Sequence, residues 1–183
     1  MAVAMRVFRE KGYHAASMQE IAHAVGMQKG SLYYYISSKQ ELLFKIFEEA
    51  IGSMARTLEE IYAGPGSPRE KLRQAIAAHV HAISQRLDML TIFLRETKVL
   101  SPTQEEIIDI HRLRYERLLQ RLVSEGMKAG ELRRMDSKLV TYALLGMTNW
   151  IYRWYNPSGR FTPDEIADIF AELVFNGLAE REE

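Results

Sequence analysis

The stretch from Ser17 to Lys39, SMQEIAHAVGMQKGSLYYYISSK, constrains this chain more than any other. It reads as two short helices about a tight turn. Ser17, with Glu20 three residues on, makes a capping box that opens the first helix. Ile21, Ala22 and Val25 then fall on one side at helical spacing. Gly26 ends that helix, because a residue without Cβ enters the left-handed region at little cost. A second helix follows from about Gln28 to Tyr35, with Leu32 and Ile36 turned inward. Ala22 is small where the two would cross. The pattern is a helix-turn-helix, which places its second helix in a DNA major groove.

The outward positions fit that use. Gln28, Lys29, Ser31, Tyr33, Tyr34 and Tyr35 supply amide, ammonium, hydroxyl and phenol groups. Gln and Lys can bond base edges, and Tyr and Ser hydroxyls can bond phosphate oxygens. Gly30 removes a side chain where a helix backbone must come close to DNA. Ser17 adds a hydroxyl for phosphate. Lys39, beside the Ser38 cap of the next helix, combines an ammonium with free backbone N–H groups as a phosphate clamp. Net charge over the 183 residues is zero, yet residues 1–47 hold six Lys and Arg against three Glu. A basic head on a mildly acidic body suits a sequence-specific binder with few phosphate contacts.

Several classes drop out. There is no cysteine, so no disulfide framework, thiolate zinc site or cysteine nucleophile. The N-terminal residues are too soon charged for a signal peptide, and no apolar run approaches a membrane span. The expectation is a cytoplasmic protein with no membrane partner. Paired carboxylates, a nucleophile motif and a phosphate-cradling glycine loop are all missing, so an all-helical enzyme is a remote alternative and no catalytic residue is assigned. His79, His81 and His111 lack metal-ligand spacing, and no metal is expected.

The run from Gly12 to Leu42, GYHAASMQEIAHAVGMQKGSLYYYISSKQEL, resembles the DNA-binding domain of the TetR family of bacterial transcription regulators. The Gly-Tyr near the end of the first helix, the Ile-Ala of the second and K-G-S-L-Y-Y-Y-I-x-S-K-x-E-L carry the resemblance. Ser17 stands where Thr is more frequent, and Tyr35 where His is frequent. The resemblance implies an all-α homodimer that binds a double-stranded, roughly palindromic operator. It places the DNA reader at 1–46 and a ligand-binding and dimerisation domain at 47–183. The first helix, Ala2 to Lys11, is a turn or two shorter than the family pattern, with Val3, Val7 and Phe8 inward.

Helix signals continue to the end, about nine helices in all, with no strand pattern, repeat or low-complexity segment. Ser38 and Glu41 form a second capping box before a helix to about Ala63, with Phe47, Ile51, Met54, Leu58 and Ile61 on one stripe. Gly64-Pro65-Gly66 breaks the chain, and Ser67, Pro68 and Glu70 start a helix whose stripe is Leu72, Ile76, His79, Val80, Ile83 and Leu87. A shorter helix spans Asp88 to Val99. Ser101 and Gln104 cap a long helix to Ala129, with Ile107, His111, Tyr115, Leu118 and Leu122 inward. Asp136 caps a helix to about Tyr155, and Thr162-Pro163-Asp164-Glu165 caps the last.

The helix from Lys138 to Tyr155 is apolar nearly all round, so it must be covered on more than one side. Gly146 in its middle costs about 1 kcal/mol against alanine, and close approach of another helix would compensate. Together with the last helix, the resemblance implies a four-helix interface built from Leu144, Met147, Ile151, Trp154, Ile166, Phe170, Leu173, Val174 and Gly177. The middle helices should enclose an apolar cavity lined by Met54, Leu58, Ile76, His79, Ile83, Phe93, Ile107, His111, Tyr115, Tyr142, Leu145, Asn149 and Trp150. Asn149, if buried, needs a hydrogen-bond partner, and a backbone carbonyl is the simplest.

F-L-R-E at Phe93 to Glu96, G-M-x-N-W-x-Y-R-W-Y at Gly146 to Tyr155 and the N-P-S-G turn after it resemble one branch of that family, whose members govern fatty-acid or sterol catabolism. The branch implies a lipophilic effector, a long-chain acyl-CoA, that releases a repressor from its operator, and no cofactor. Arg86, Arg95, Lys98, Arg112 and Arg153 are candidates to hold the nucleotide phosphates. The alternative within regulation is a multidrug-sensing repressor of an efflux pump, which would prefer an aromatic, acidic pocket.

Overall fold

Chain order explains the first unit only in part. The structure, a computed structural model, describes residues 1–96 and 99–177, with the side chains of residue 2 and of residues 93–96 outside that description. Its helices are α1 (Ala2–Lys11), α2 (Met18–Ala24), α3 (Lys29–Tyr35), α4 (Lys39–Ala63), α5 (Pro68–Ser84), α6 (Leu87–Glu96), α7 (Pro102–Lys128), α8 (Ser137–Asn149), α9 (Ile151–Trp154) and α10 (Pro163–Asn176). No strand occurs among the described residues. None of the helices is long and apolar enough to cross a membrane.

Two compact units divide the chain, and neither is continuous in sequence. The first takes Met1–Ser53 and Arg86–His111. Its core centres on Phe8, Ile21, Leu43 and Phe47. Met89 and Ile92 of α6, with Ile108 of α7, complete it. On α1 the inward set is Ala4, Val7 and Phe8, while Val3 is only half-buried. The second unit takes Met54–Gln85 and Arg112 onward. Here α5 is central, with Leu72, Ala75, Ile76, His79, Val80 and Ile83 all buried, and α8, α9 and α10 packed against it.

Local sequence signals set the helix starts. Ser17 with Glu20, Ser67 with Glu70 and Thr162 with Glu165 form complete capping boxes. Ser101 and Gln104 make the same reciprocal pair, but the expected box at Ser38 and Glu41 is split. The Ser38 hydroxyl accepts from Glu41 N–H at 3.0 Å, but the Glu41 carboxylate reaches back one residue further, to the Ser37 N–H and hydroxyl.

Three expectations need correction. On α7 the expected Tyr115 and Leu122 are buried, together with Ile108, Leu119 and Val123, whereas Ile107, His111 and Leu118 are half-exposed. The expected helix from 138 to 155 breaks at Trp150 into α8 and α9, with Trp150 N–H still bonded to Gly146 O at 3.1 Å. Finally, α8 is one-sided. It buries Thr141, Leu144 and Thr148, and both threonine hydroxyls donate to the carbonyl one turn back, each at 2.8 Å. Hydroxyls satisfied within their own helix cost little in a core, so a stripe containing two threonines can serve as the inner face.

Candidate nucleic-acid interface and effector region

The helix α3 buries only Leu32. Gln28, Lys29, Gly30, Ser31, Tyr33, Tyr34 and Tyr35 are all exposed, and Tyr34 reaches 85%. Its ring meets Tyr35 edge-on at 5.2 Å, and the Lys29 ammonium lies 5.8 Å from the Tyr33 ring centroid. A Cβ built on Gly30 would meet nothing within 4 Å, and the glycine has no positive φ. Nothing in the chain itself therefore calls for glycine at this position.

Lysines sew this head together. Lys39 donates all three ammonium protons to backbone carbonyls: Tyr13 O at 2.7 Å, Ala16 O at 2.8 Å and His14 O at 2.9 Å. It also sits 4.7 Å from the Tyr13 ring centroid. These bonds tie α4 to the segment between α1 and α2, so the expected phosphate contact by Lys39 would require one of them to be given up. Lys11, the last residue of α1, pairs with Glu20 in the first turn of α2. Lys45 of α4 pairs with Glu41 at 3.0 Å and donates to Tyr35 O, the end of α3, at 3.4 Å.

The carboxylates in these knots are strong acids. The Lys11 ammonium, with the Ser17 N–H and hydroxyl, holds Glu20 down to about 2. The Ser37 hydroxyl and N–H, with Lys45, do the same for Glu41, down to about 2. Ser17 is part of the first knot: its hydroxyl donates to Glu20 at 2.9 Å while accepting from Glu20 N–H. Its hydroxyl proton is directed to Glu20 in the free chain, although the side chain is exposed.

The second unit holds a buried polar chain. His79 Nε2 lies 3.0 Å from Asn149 Oδ1, and His79 Nδ1 lies 2.8 Å from the Tyr115 hydroxyl. Since Asn149 Oδ1 can only accept, Nε2 carries the ring proton and Nδ1 accepts from Tyr115. Burial is the main force on both: it pushes His79 down to about 4, against the lesser opposing effect of the Asn149 bond, and it raises Tyr115. The ring is neutral and the phenol protonated, as the bonding requires. Asn149 therefore finds its partner on α5, in a histidine rather than the expected backbone carbonyl.

Ala75, Ile76, His79, Tyr115, Leu119, Leu144 and Thr148 line a cavity of about 200 Å³, counted with its open mouth. That is below an ordinary ligand pocket of roughly 300–1,000 Å³, so no tunnel for a long acyl chain is formed there. Of the expected lining, Ile76, His79 and Tyr115 reach it. Leu58 and Ile83 are buried elsewhere, Met54, Ile107, His111 and Leu145 are half-buried, and Arg112, Tyr142, Asn149, Trp150 and Arg153 are exposed. Phe93, Arg95 and Lys98 lie outside the described side chains. Among the described residues no group of three or more His, Cys, Asp or Glu could hold a metal ion.

The expected interface residues divide too. Leu144, Ile151 and Ile166 are buried within the chain, which removes them from any contact surface. Met147, Phe170, Leu173 and Val174 are half-buried, and Trp154 and Gly177 are exposed. Beside them stand further exposed apolar side chains: Leu139 at 67%, Ile169 at 60%, and Tyr142 and Trp150. A Cβ on Gly146 would again meet nothing within 4 Å.

Residues 1–46 match the family model "Bacterial regulatory proteins, tetR family", and residues 65–178 match "Tetracyclin repressor-like, C-terminal domain". The HTH-type transcriptional repressor KstR2 of Mycolicibacterium smegmatis is 25% identical over 181 residues, covering 97% of this chain and 88% of the relative. The fatty acid metabolism regulator protein of Bacillus subtilis is 22% identical, covering 96% and 91%. The crystal structure of AibR in complex with isovaleryl coenzyme A and operator DNA superposes with a TM-score of 0.80 at 30% identity, covering 94% of each chain.

Two tests follow from the geometry. Lys39→Gln should lower stability by about 1.5–3 kcal/mol, the range for hydrogen bonds to a charged group, whereas Tyr34→Phe, at an exposed position, should stay within about 0.5 kcal/mol; chemical denaturation measures both. A histidine whose folded pKa is depressed binds its proton more readily when unfolded, so folding loses stability as pH falls from about 6.5 toward 4, by about 3 kcal/mol. Melts of His79→Gln over that window should show a flatter pH dependence than the unaltered protein.

Proposed function

This chain belongs to the TetR family of bacterial regulatory proteins, and from that premise we propose that it is a homodimeric repressor released from a palindromic operator by an acyl-CoA. The proposed division gives DNA reading to residues 1–46 and effector binding with dimerisation to the remainder.

One observation carries the DNA-binding half. The helix α3 spends a single side chain on the core and exposes amide, ammonium, hydroxyl and phenol groups around a glycine with open space above it. Glycine costs up to about 1 kcal/mol against alanine in a helix, and less in the first turn, where Gly30 stands. Folding gives no return for that cost, whereas close approach of a sugar-phosphate backbone does. A dimer supplies two such helices to successive major grooves, roughly 34–36 Å apart. The same reasoning at Gly146, set among exposed Leu139, Tyr142, Trp150 and Trp154, supports α8, α9 and α10 as the surface where two chains meet.

Support for an acyl-CoA effector comes from the AibR likeness, since that protein's crystal structure holds isovaleryl coenzyme A with operator DNA, and from the fatty acid metabolism regulator protein among the relatives. The multidrug reading expects acidic groups in the pocket, and the seven residues lining the cavity include none. An effector would act by its differential affinity for conformations with different spacing of the two reading helices.

Gly30→Ala tests the carrying observation. The protein should fold at least as stably, by up to about 1 kcal/mol, yet bind a duplex selected from a random pool at least tenfold more weakly; unchanged affinity removes the glycine argument. Titrating that complex with acyl-CoAs of increasing chain length tests the effector. Release by one length class is the expected result, and no release at any length sinks the acyl-CoA reading.

A further inference from the structure

The head is less cationic in its free groups than its sequence suggests. Of the six Lys and Arg in residues 1–47, four are committed. Arg9 pairs with Asp88 at 2.9 Å, Lys11 with Glu20, and Lys45 with Glu41 at 3.0 Å. Lys39 is held by three carbonyls. Arg6, on the exposed side of α1, has no carboxylate partner among the described residues, and Lys29 has only the Tyr33 ring.

These commitments serve the fold. Glu20 and Glu41 each accept from a serine N–H and hydroxyl just ahead of a helix, and each is neutralised by a lysine. Releasing Lys11 or Lys45 to a phosphate would exchange one ion pair for another and loosen the link between helices. Releasing Lys39 would break three hydrogen bonds to backbone carbonyls. What remains exposed on α3 is largely uncharged: Gln28, Ser31 and the three tyrosine hydroxyls. Such groups bond phosphate oxygens without neutralising them, so they release no condensed counterions.

We infer that this protein holds its operator mainly through uncharged donors, with phosphate neutralisation limited to Arg6 and Lys29 of each head. The inference rests on the DNA-binding reading above and adds the chemistry of the contact. Its consequence is weak sensitivity to salt. With two heads and two free cations apiece, about four phosphates are neutralised, and log K should fall against log salt with a slope of about −4. Engagement of all six cations on each head would give a slope of about −11.

The test uses the full chain and a duplex enriched by the chain itself from a random pool, with affinity read by fluorescence anisotropy across a potassium chloride series. A slope of about −4 supports the inference. Arg6→Gln and Lys29→Gln should each flatten it by about 2, one contact per head. Lys11→Gln and Lys45→Gln should leave it unchanged, whatever they do to the melting temperature. A slope steeper than about −8, or a flatter slope in either of the last two variants, overturns the inference while leaving operator binding in place. Failure of the pool to enrich any sequence overturns the repressor reading, and this inference with it.

Discussion

One ammonium group organises the amino-terminal unit. Lys39 stands at the start of α4 and donates to three carbonyls between residues 13 and 16, which fixes where α2 begins relative to the long helix behind it. Chain ends near helix termini carry unpaired carbonyls, and leaving them dry is costly. A lysine can satisfy three at once, and its alkyl stem can lie along the Tyr13 ring. Lys11 and Lys45 repeat the device on the two sides of α2 and α3. The outward face of α3 is free to carry recognition groups because its orientation is secured by residues that face elsewhere.

How far the sequence revealed this depends on the range of each interaction. The capping boxes at Ser17, Ser67 and Thr162 are contacts between residues three apart, so the letters state them directly. The exposed face of α3 was legible for the same reason, since a seven-residue helix with one apolar anchor has few ways to turn. Lys39 was not. Its partners lie 23 to 26 residues away, and a lysine next to a helix start looks identical whether it awaits a phosphate or already holds a carbonyl. The count of free charges in the head was misleading on the same ground.

The second unit was harder to read because its signals are ambiguous over one residue step. On α7 neighbouring apolar residues compete: Tyr115 and Leu122 turn inward as the sequence indicated, but Ile108 and Leu119 are buried where sequence alone favoured Ile107 and Leu118. On α8 nearly every residue is apolar, so periodicity could not say which face turns in. The structure chooses the face with Thr141 and Thr148, leaving Leu139, Tyr142 and Trp150 outside. That choice is intelligible only once the threonine hydroxyls are seen to bond their own helix. A rule that ranks faces by hydrophobicity would put the tryptophan inward.

The His79 chain bears on how such a unit could respond to a ligand. His79, Tyr115 and Asn149 come from three helices, and both ring nitrogens of His79 are satisfied by the other two. No buried side-chain nitrogen or oxygen among the described residues is left without a partner. An apolar cavity edged by a satisfied network is stable while closed. To enlarge it, a guest must part α5, α7 or α8, and parting them breaks a hydrogen bond in a dry setting unless the guest replaces it. A purely apolar chain cannot make that replacement, whereas a molecule with a polar group near the point of entry can. Asn149 ends α8 immediately before the break at Trp150. A guest that displaced the Asn149–His79 bond would therefore act first on the part of α8 whose exposed face is available for a second chain.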